Sequence, residues 1–233
     1  MEPRALRGLP AWPRQADEEA SRHLLSRGSR FKPAVFAAPG PDGTNWVIKD
    51  CAGVPAWSRP LARWLMRREA ALLGRLDGLD GFPRLVARID ANAYACSLLA
   101  GEPLDRPHVE ADPRGLATQL RERVAAMHAR GVYHLDLRQR QNLLVDADGR
   151  LRVIDFGAGA APRGPLRWVL GPVLARVDRQ AILKYLARWA PQAMSEAEAR
   201  AYLRSRFWRR LWIFSPFHDH GEGAAVRRRL RDG

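Results

Sequence analysis

Between Gly131 and Gly157 the chain reads Gly-Val-Tyr-His-Leu-Asp-Leu, four polar residues, Asn142-Leu143-Leu144-Val145, a turn, and Leu151-Arg152-Val153-Ile154-Asp155-Phe156-Gly157. No other stretch limits the fold as tightly. Asp146-Ala147-Asp148-Gly149 has the residues of a tight turn, so the two apolar runs on either side form a hairpin. With the turn centred near Ala147 and Asp148, Asn142 and Asp155 fall opposite or nearly opposite each other at its open end. An amide oxygen and a carboxylate then come within reach of one ion. Oxygen ligands of this kind suit magnesium carried by a nucleotide phosphate. Just upstream, Asp136 adds a third oxygen-bearing side chain on the same edge.

The rest of the chain supplies the frame. Val35-Phe36-Ala37 and Trp46-Val47-Ile48, separated by Pro39 to Gly43, read as an antiparallel hairpin ending at Lys49. Pro60 opens a helix whose Leu61, Leu65, Leu72 and Leu76 recur at helical spacing until Asp77-Gly78 stops it. Ile89 and Tyr94 to Leu99 are further strand material. Asp112 is an N-cap and Pro113 a first helical residue for a helix that carries Leu116, Leu120, Val124 and Met127 on one face and closes at Gly131. Val173 to Ala190 and Ser195 to Phe214 read as helical, and Ser195 with Glu198 fits a capping box.

Composition removes several classes. The chain has 233 residues, 46% of them hydrophobic and 27% charged, enough apolar material for one large core or two small lobes and too much for a disordered tail. Its longest uncharged runs, such as Ala91 to Gly101, are too short to span a bilayer. Residues 1–20 form a Pro- and Arg-containing extension without a signal-peptide core, so a cytoplasmic location is expected. Cys51 and Cys96 match neither a disulfide framework nor a metal-ligand spacing, and read as small buried hydrophobes. The net charge is +14, densest in the last 73 residues, which makes a polyanionic partner an expectation. Only Lys32, Lys49 and Lys184 are lysines. A lysine directly after Trp46-Val47-Ile48 is therefore an informative residue.

These motifs resemble those of the protein-kinase-like fold. His134-Leu135-Asp136 through Asn142 looks like the catalytic loop, Ile154-Asp155-Phe156-Gly157 like the magnesium-binding motif, Val47-Ile48-Lys49 like the strand whose lysine holds the nucleotide phosphates, and Arg68-Glu69-Ala70 like the helix carrying its glutamate partner. The resemblance runs from about Phe31 to Gly159, in the same order and with similar spacing. It implies an α+β, two-lobed fold: an antiparallel-sheet N-lobe over residues 21–100 and a mostly helical, shortened C-lobe over 101–233. It also implies ATP and magnesium, with Asp136 accepting or orienting the acceptor hydroxyl, Arg138 offsetting charge on the transferring phosphoryl group, Asn142 and Asp155 on the metal, and Lys49, fixed by Glu69, on the α and β phosphates. Glu69 sits between Leu65 and Leu72, inside the apolar stripe, where a carboxylate needs a cationic partner.

The chain departs from the pattern in four places. It has no clear Gly-x-Gly-x-x-Gly before Lys49, Gly28-Ser29 being the one phosphate-loop remnant. Asp136 to Asn142 is six positions where five are usual, which makes Gln141 the competing metal ligand. Leu135 replaces the arginine that would dock a phosphorylated activation loop. No Ala-Pro-Glu or long activation segment follows Gly157, and Asp178 is placed to brace the catalytic loop from a helix.

A compact chain of this kind resembles the bacterial lipopolysaccharide-core (Kdo/heptose) kinases and, more distantly, the small RIO-type atypical kinases. The leading expectation is therefore phosphoryl transfer to a sugar of a lipid-linked saccharide at the inner face of the cytoplasmic membrane. The alternatives are a serine or threonine of a protein as acceptor, and a non-catalytic nucleotide-binding module. Nucleic-acid binding has charge and tryptophan content behind it but no motif. The run Phe207-Trp208-Arg209-Arg210-Leu211-Trp212-Ile213-Phe214 interleaves aromatics with arginines, as an interfacial helix does and as a core helix with a solvated Arg face also does.

Overall fold

A computed structural model describes residues 22–40, 43–210 and 222–231. The chain divides into two compact units. One runs to Ala100 and also takes Val153–Ala161; the other holds Gly101–Arg152 and the chain from Pro162 onward. The first is built on an antiparallel sheet and the second is mostly helical, the arrangement of an α+β, kinase-like fold. The extension over residues 1–20 and the segment from Leu211 to Phe214 lie outside the described residues.

In the first unit five strands, β1 (His23–Ser26), β2 (Ala34–Pro39), β3 (Asn45–Asp50), β4 (Leu85–Arg88) and β5 (Ala93–Ser97), lie in the order β1-β2-β3-β5-β4. The expected hairpin is present and extends one residue past Lys49, with Ala34 opposite Asp50. Alternation along β3 sorts its side chains between two faces. Trp46 and Ile48 join Ala38, Ala87 and Ala95 in a buried cluster on one face. Lys49, paired with Tyr94, and Val47, paired with Cys96, take the other. Helix α1 (Arg59–Leu76) carries Pro60 in its first turn and ends at Asp77. Its buried residues are Ala62, Met66, Glu69, Ala70, Leu72, Leu73 and Leu76. Leu61 is exposed, because it lies at the margin of this stripe and Ala62 and Met66 take the central positions.

Two strands were harder to read. β1 is exposed along its whole length, an edge strand without apolar alternation whose conformation depends on pairing with β2. β4 ends at Arg88, just before Ile89, and its ladder with β5 is interrupted by a bulge between Leu85 and Ala87. The Gly28-Ser29 turn joins β1 to β2 and is closed on itself. Ser29 N–H bonds Lys32 O, and Ser29 Oγ accepts from the N–H groups of Phe31 and Lys32. Gly28 has φ +71°, and a Cβ there would stand 2.7 Å from Lys32 O, so the turn requires glycine.

The second unit begins with the short strand β6 (Glu102–Pro103) and helix α2 (Arg106–Ala111), capped by the Asp105 side chain. Helix α3 (Pro113–Ala129) follows the sequence reading closely: the Asp112 carboxylate accepts from Gly115 N–H at 2.8 Å, and Leu116, Leu120, Val124 and Met127 are buried. Strands β7 (Leu143–Val145) and β8 (Leu151–Val153) form the second hairpin. In its turn the Asp146 carboxylate accepts from the N–H groups of Asp148 and Arg150. Helix α4 (Pro165–Trp189) starts eight residues earlier than the sequence indicated and carries Gly171-Pro172 inside it. A proline there forfeits one backbone hydrogen bond, and Pro172 is exposed. Helix α5 (Glu196–Arg210) opens with the expected capping box, Glu198 N–H to Ser195 Oγ and Ser195 N–H to Glu198 Oε2. Helix α6 (Glu222–Arg231) completes the unit.

Candidate active site

The first unit brings three of the candidate residues together. Lys49 Nζ donates to Glu69 Oε1 at 2.6 Å and to Asp155 Oδ1 at 3.2 Å. Glu69 is buried on α1 and the Lys49 side chain is nearly so, whereas Asp155 keeps 57% of its side chain in solvent. One carboxylate thus fixes the ammonium while the other stays open. Burial by itself would pull the Lys49 ammonium down, but the charges of Glu69 and Asp155 and the hydrogen bond to Glu69 outweigh it and hold it well above its ordinary value. Lys49 is a permanent cation. Beside it on β5, burial, followed by the Glu69 charge, keeps the Tyr94 phenol protonated. Its hydroxyl stands near Glu69 without forming a hydrogen bond of standard geometry. Burial pushes the Cys96 thiol up to about 12, so it is no nucleophile.

Asp155 owes its position to the two residues after it. Phe156 is fully buried and packs against Phe82, with ring centroids 6.1 Å apart. Gly157 comes so close that a Cβ would lie 3.3 Å from Asp155 Oδ1. Asp155 itself has φ +63°, a left-handed conformation that costs a non-glycine residue roughly 1–2 kcal/mol and persists only where the surroundings impose it. Arg68 Nη2 donates to Gly157 O at 2.7 Å, its guanidinium lying over the Trp64 ring. Helix α1 therefore holds this turn through Arg68 as well as through Glu69.

The second unit arranges the other candidates around a strained loop. Leu135 has φ +68°. Its N–H donates to Asp178 Oδ1 at 2.7 Å, and the neighbouring His134 N–H to Asp178 Oδ2 at 3.0 Å. His128 Nε2 lies 2.9 Å from the same oxygen. Asp178 is almost completely buried on α4, and a buried carboxylate needs this many partners. Seven residues further along the same helix, Tyr185 Oη shares its proton between Leu137 O and Arg138 O, both at 3.0 Å, and Lys184 Nζ donates to Arg138 O at 3.1 Å. Helix α4 is thus the support of the whole loop.

Within the loop, Asp136 N–H donates to His134 Nδ1 at 3.3 Å, which gives the buried His134 a positioning role. Asn142 Nδ2 donates to Asp136 O at 3.0 Å and approaches Asp136 Oδ2 at 3.4 Å. Gln139 Nε2 donates to Asp136 Oδ2 at 2.7 Å. Asn142 is buried and directs its NH₂ group at Asp136. Gln141 is exposed and its side chain donates to Gln139 Oε1 at 2.8 Å. The extra loop residue is thus taken up on the solvent side. The Arg138 side chain is exposed and makes no hydrogen bond among the described residues. Sequence reading assigned no role to Arg68, His128, Gln139, Lys184 or Tyr185. Lys184 carried a usable signal, being one of three lysines; the others carried none.

No family model matches the chain. Short stretches of it are similar to plant protein kinases. One stretch is 52% identical over 54 residues to CBL-interacting serine/threonine-protein kinase 21 of Arabidopsis thaliana, covering 23% of this chain and 13% of that protein. Another is 39% identical over 84 residues to CBL-interacting serine/threonine-protein kinase 1 of Arabidopsis thaliana, covering 34% and 19%. A third is 45% identical over 78 residues to CBL-interacting protein kinase 4 of Oryza sativa subsp. japonica, covering 34% and 17%. The chain spans less than a fifth of the length of these relatives. The similarity supports a protein-kinase-like relationship.

Proposed function

We propose that the protein is an ATP-dependent phosphotransferase that moves the γ-phosphate to an alcohol. The observation that carries this reading is the Lys49, Glu69 and Asp155 network, a buried pair that keeps one cation fixed beside an exposed carboxylate. Phosphoryl transfer asks for charge neutralisation and alignment more than for covalent chemistry. In this reading Lys49 binds the α and β phosphates, and Glu69 sets its direction. Asp136, oriented by Gln139 and by the backbone bond to His134, accepts or aligns the acceptor hydroxyl. Arg138, free on the solvent side, compensates charge on the transferring group.

Magnesium fits the oxygen donors present, since it is held through one or two carboxylates together with substrate phosphates. The exposed Asp155 carboxylate is the donor of the first unit that would hold it, and Asn142 is proposed as a ligand from the motif pattern of the sequence. When bound, the ion would supply positive charge that neutralises the phosphates.

For the acceptor we favour a sugar hydroxyl of a lipid-linked saccharide of the lipopolysaccharide-core kind. Only 159–164 separate the turn at Phe156–Ala158 from α4, which leaves no long segment for an extended peptide to lie against. The second reading, a serine or threonine acceptor, is favoured by the names of the plant relatives. Incubating the purified chain with magnesium and γ-labelled ATP, in parallel with lipid-linked core saccharide and a generic protein substrate, separates them. Label on the saccharide is the expected result and label on the protein selects the second reading. Absence of both, with no magnesium-dependent ATP binding, removes the kinase reading.

A further inference from the structure

The first three turns of α4 are apolar on two sides. One side is explained by packing: Gly171, Ala175 and Asp178 are buried, and a Cβ on Gly171 would meet Tyr133 Oη at 2.7 Å. The opposite side is not. Leu166, Val169, Leu170, Val173 and Val177 recur at three- and four-residue spacing on one face. Leu166 is 59% exposed, Val169 68% and Val173 60%. Trp168, at 83%, is exposed as well, but two residues from Leu166 and from Leu170 it stands on another side of the helix. The stripe is about 17 Å long at 1.5 Å per residue. Scattered exposed apolar residues need no explanation, but a contiguous stripe marks a surface that meets something.

The charges around the stripe indicate what that is. Arg167 and Arg176 stand on its two margins and Arg163 precedes the helix; all three are exposed and none forms an ion pair among the described residues. No Asp or Glu occurs from Arg163 to Val177, and the first acid, Asp178, is buried with its oxygens committed to the loop. The stripe lies along the exposed face of a single helix, with no groove to receive a side chain or a peptide among its residues. An apolar strip with arginine margins, on a chain of net charge +14, matches an interfacial helix lying on anionic lipid. We propose that this face of α4 docks on an anionic membrane surface, the apolar side chains entering the headgroup boundary and the arginines reaching lipid phosphates. No helix among the described residues is long and apolar enough to cross a membrane. The contact is peripheral.

The test uses the full chain and sedimentation with vesicles of phosphatidylcholine alone or mixed with phosphatidylglycerol. Wild type is expected to bind the mixed vesicles, and Leu166→Ser with Val173→Ser to lower the partition coefficient by at least about tenfold. Arg167→Gln with Arg176→Gln should lower it roughly tenfold at low salt and little at high salt, where the attraction is screened. Val169→Ser, a single exposed change, gives a smaller loss in a variant whose unfolding midpoint stays at the wild-type value. Trp57→Ser with Trp64→Ser, exposed apolar residues outside the stripe, should leave binding unchanged. The proposal is overturned if wild type does not bind mixed vesicles, or if the stripe variants bind as wild type does. It is also overturned if lipid-free sedimentation shows self-association that Leu166→Ser with Val173→Ser abolishes, which assigns the face to a second copy of the chain.

Discussion

The two units hold their candidate residues by different means. In the first, Lys49 is positioned by opposite charges, Glu69 from α1 and Asp155 from the turn after β8. In the second, Asp136 is positioned through its backbone, because Asp178 grips the N–H groups of His134 and Leu135 and α4 reaches the carbonyls of Leu137 and Arg138. A charge pair can be exchanged for an apolar pair of similar volume at little cost in stability, since no buried backbone donor depends on it. A carboxylate that satisfies buried backbone donors cannot, because the donors remain when it is removed. The first arrangement is therefore specialised for what it binds, and the second for the shape of a loop.

The largest expected effect falls on the carboxylates that end the two arrangements, Asp155 exposed and Asp136 half-buried. Asp136→Ala and Asp155→Ala should each reduce phosphoryl transfer by about 10³-fold or more, with unfolding free energies within about 0.5 kcal/mol of wild type. Steady-state kinetics with chemical denaturation checks both halves of that statement. Near-wild-type transfer in either variant would end the comparison, because neither carboxylate would then be at a catalytic position.

Asp178→Ala should come next, costing about 3–5 kcal/mol as two backbone N–H groups and the His128 imidazole lose their partner. Adding an apolar substitution at His128 should recover little of it. Lys49→Met should cost about 3 kcal/mol by leaving Glu69 buried without its cation, and Glu69→Leu in the same chain should restore most of the stability but no activity. Equal rescue in the two units would show that the brace and the pair are not different in kind.

The pH dependence is smaller. The Lys49 ammonium is held above its ordinary value of 10.5, so its stabilising contribution is complete below that pH and is lost only as the pH rises beyond it. The stability gap between wild type and Lys49→Met should thus be flat through neutral pH and narrow in strong alkali. Smallest of all, Cys96, with its thiol pushed up to about 12, should react with an alkylating reagent near pH 8 no faster than the chain opens. Rapid labelling of Cys96 in the folded chain would show that β5 is more accessible beside Lys49 than its burial implies.

Some of the site was legible because its signals are local. The Asp112 cap with Pro113, the Ser195 capping box and the Asp146 to Gly149 turn each involve residues within four positions of one another, and each appears where the residues indicate. Glu69 was legible for a related reason, since a carboxylate inside an apolar stripe calls for a cation and the chain has few lysines. Leu61 misled because helical spacing defines a stripe only to within one residue, and packing against the sheet decides which edge is covered.

Residue order and spacing alone determined the strands of the first hairpin, the cap and inner face of α3, and the sequence of Lys49, Glu69, Asp136, Asn142 and Asp155 along the chain. All depend on backbone and side-chain preferences acting over a few residues. Tertiary structure alone decided that β1 is a strand, that α4 continues through Gly171-Pro172, and that Leu135, braced by Asp178 as the sequence indicated, takes a left-handed conformation. Each of these conformations is unfavourable or indifferent in isolation. They exist because a distant partner supplies the hydrogen bonds, and that supply is set by where the folded chain places the partner, which no short stretch of sequence encodes.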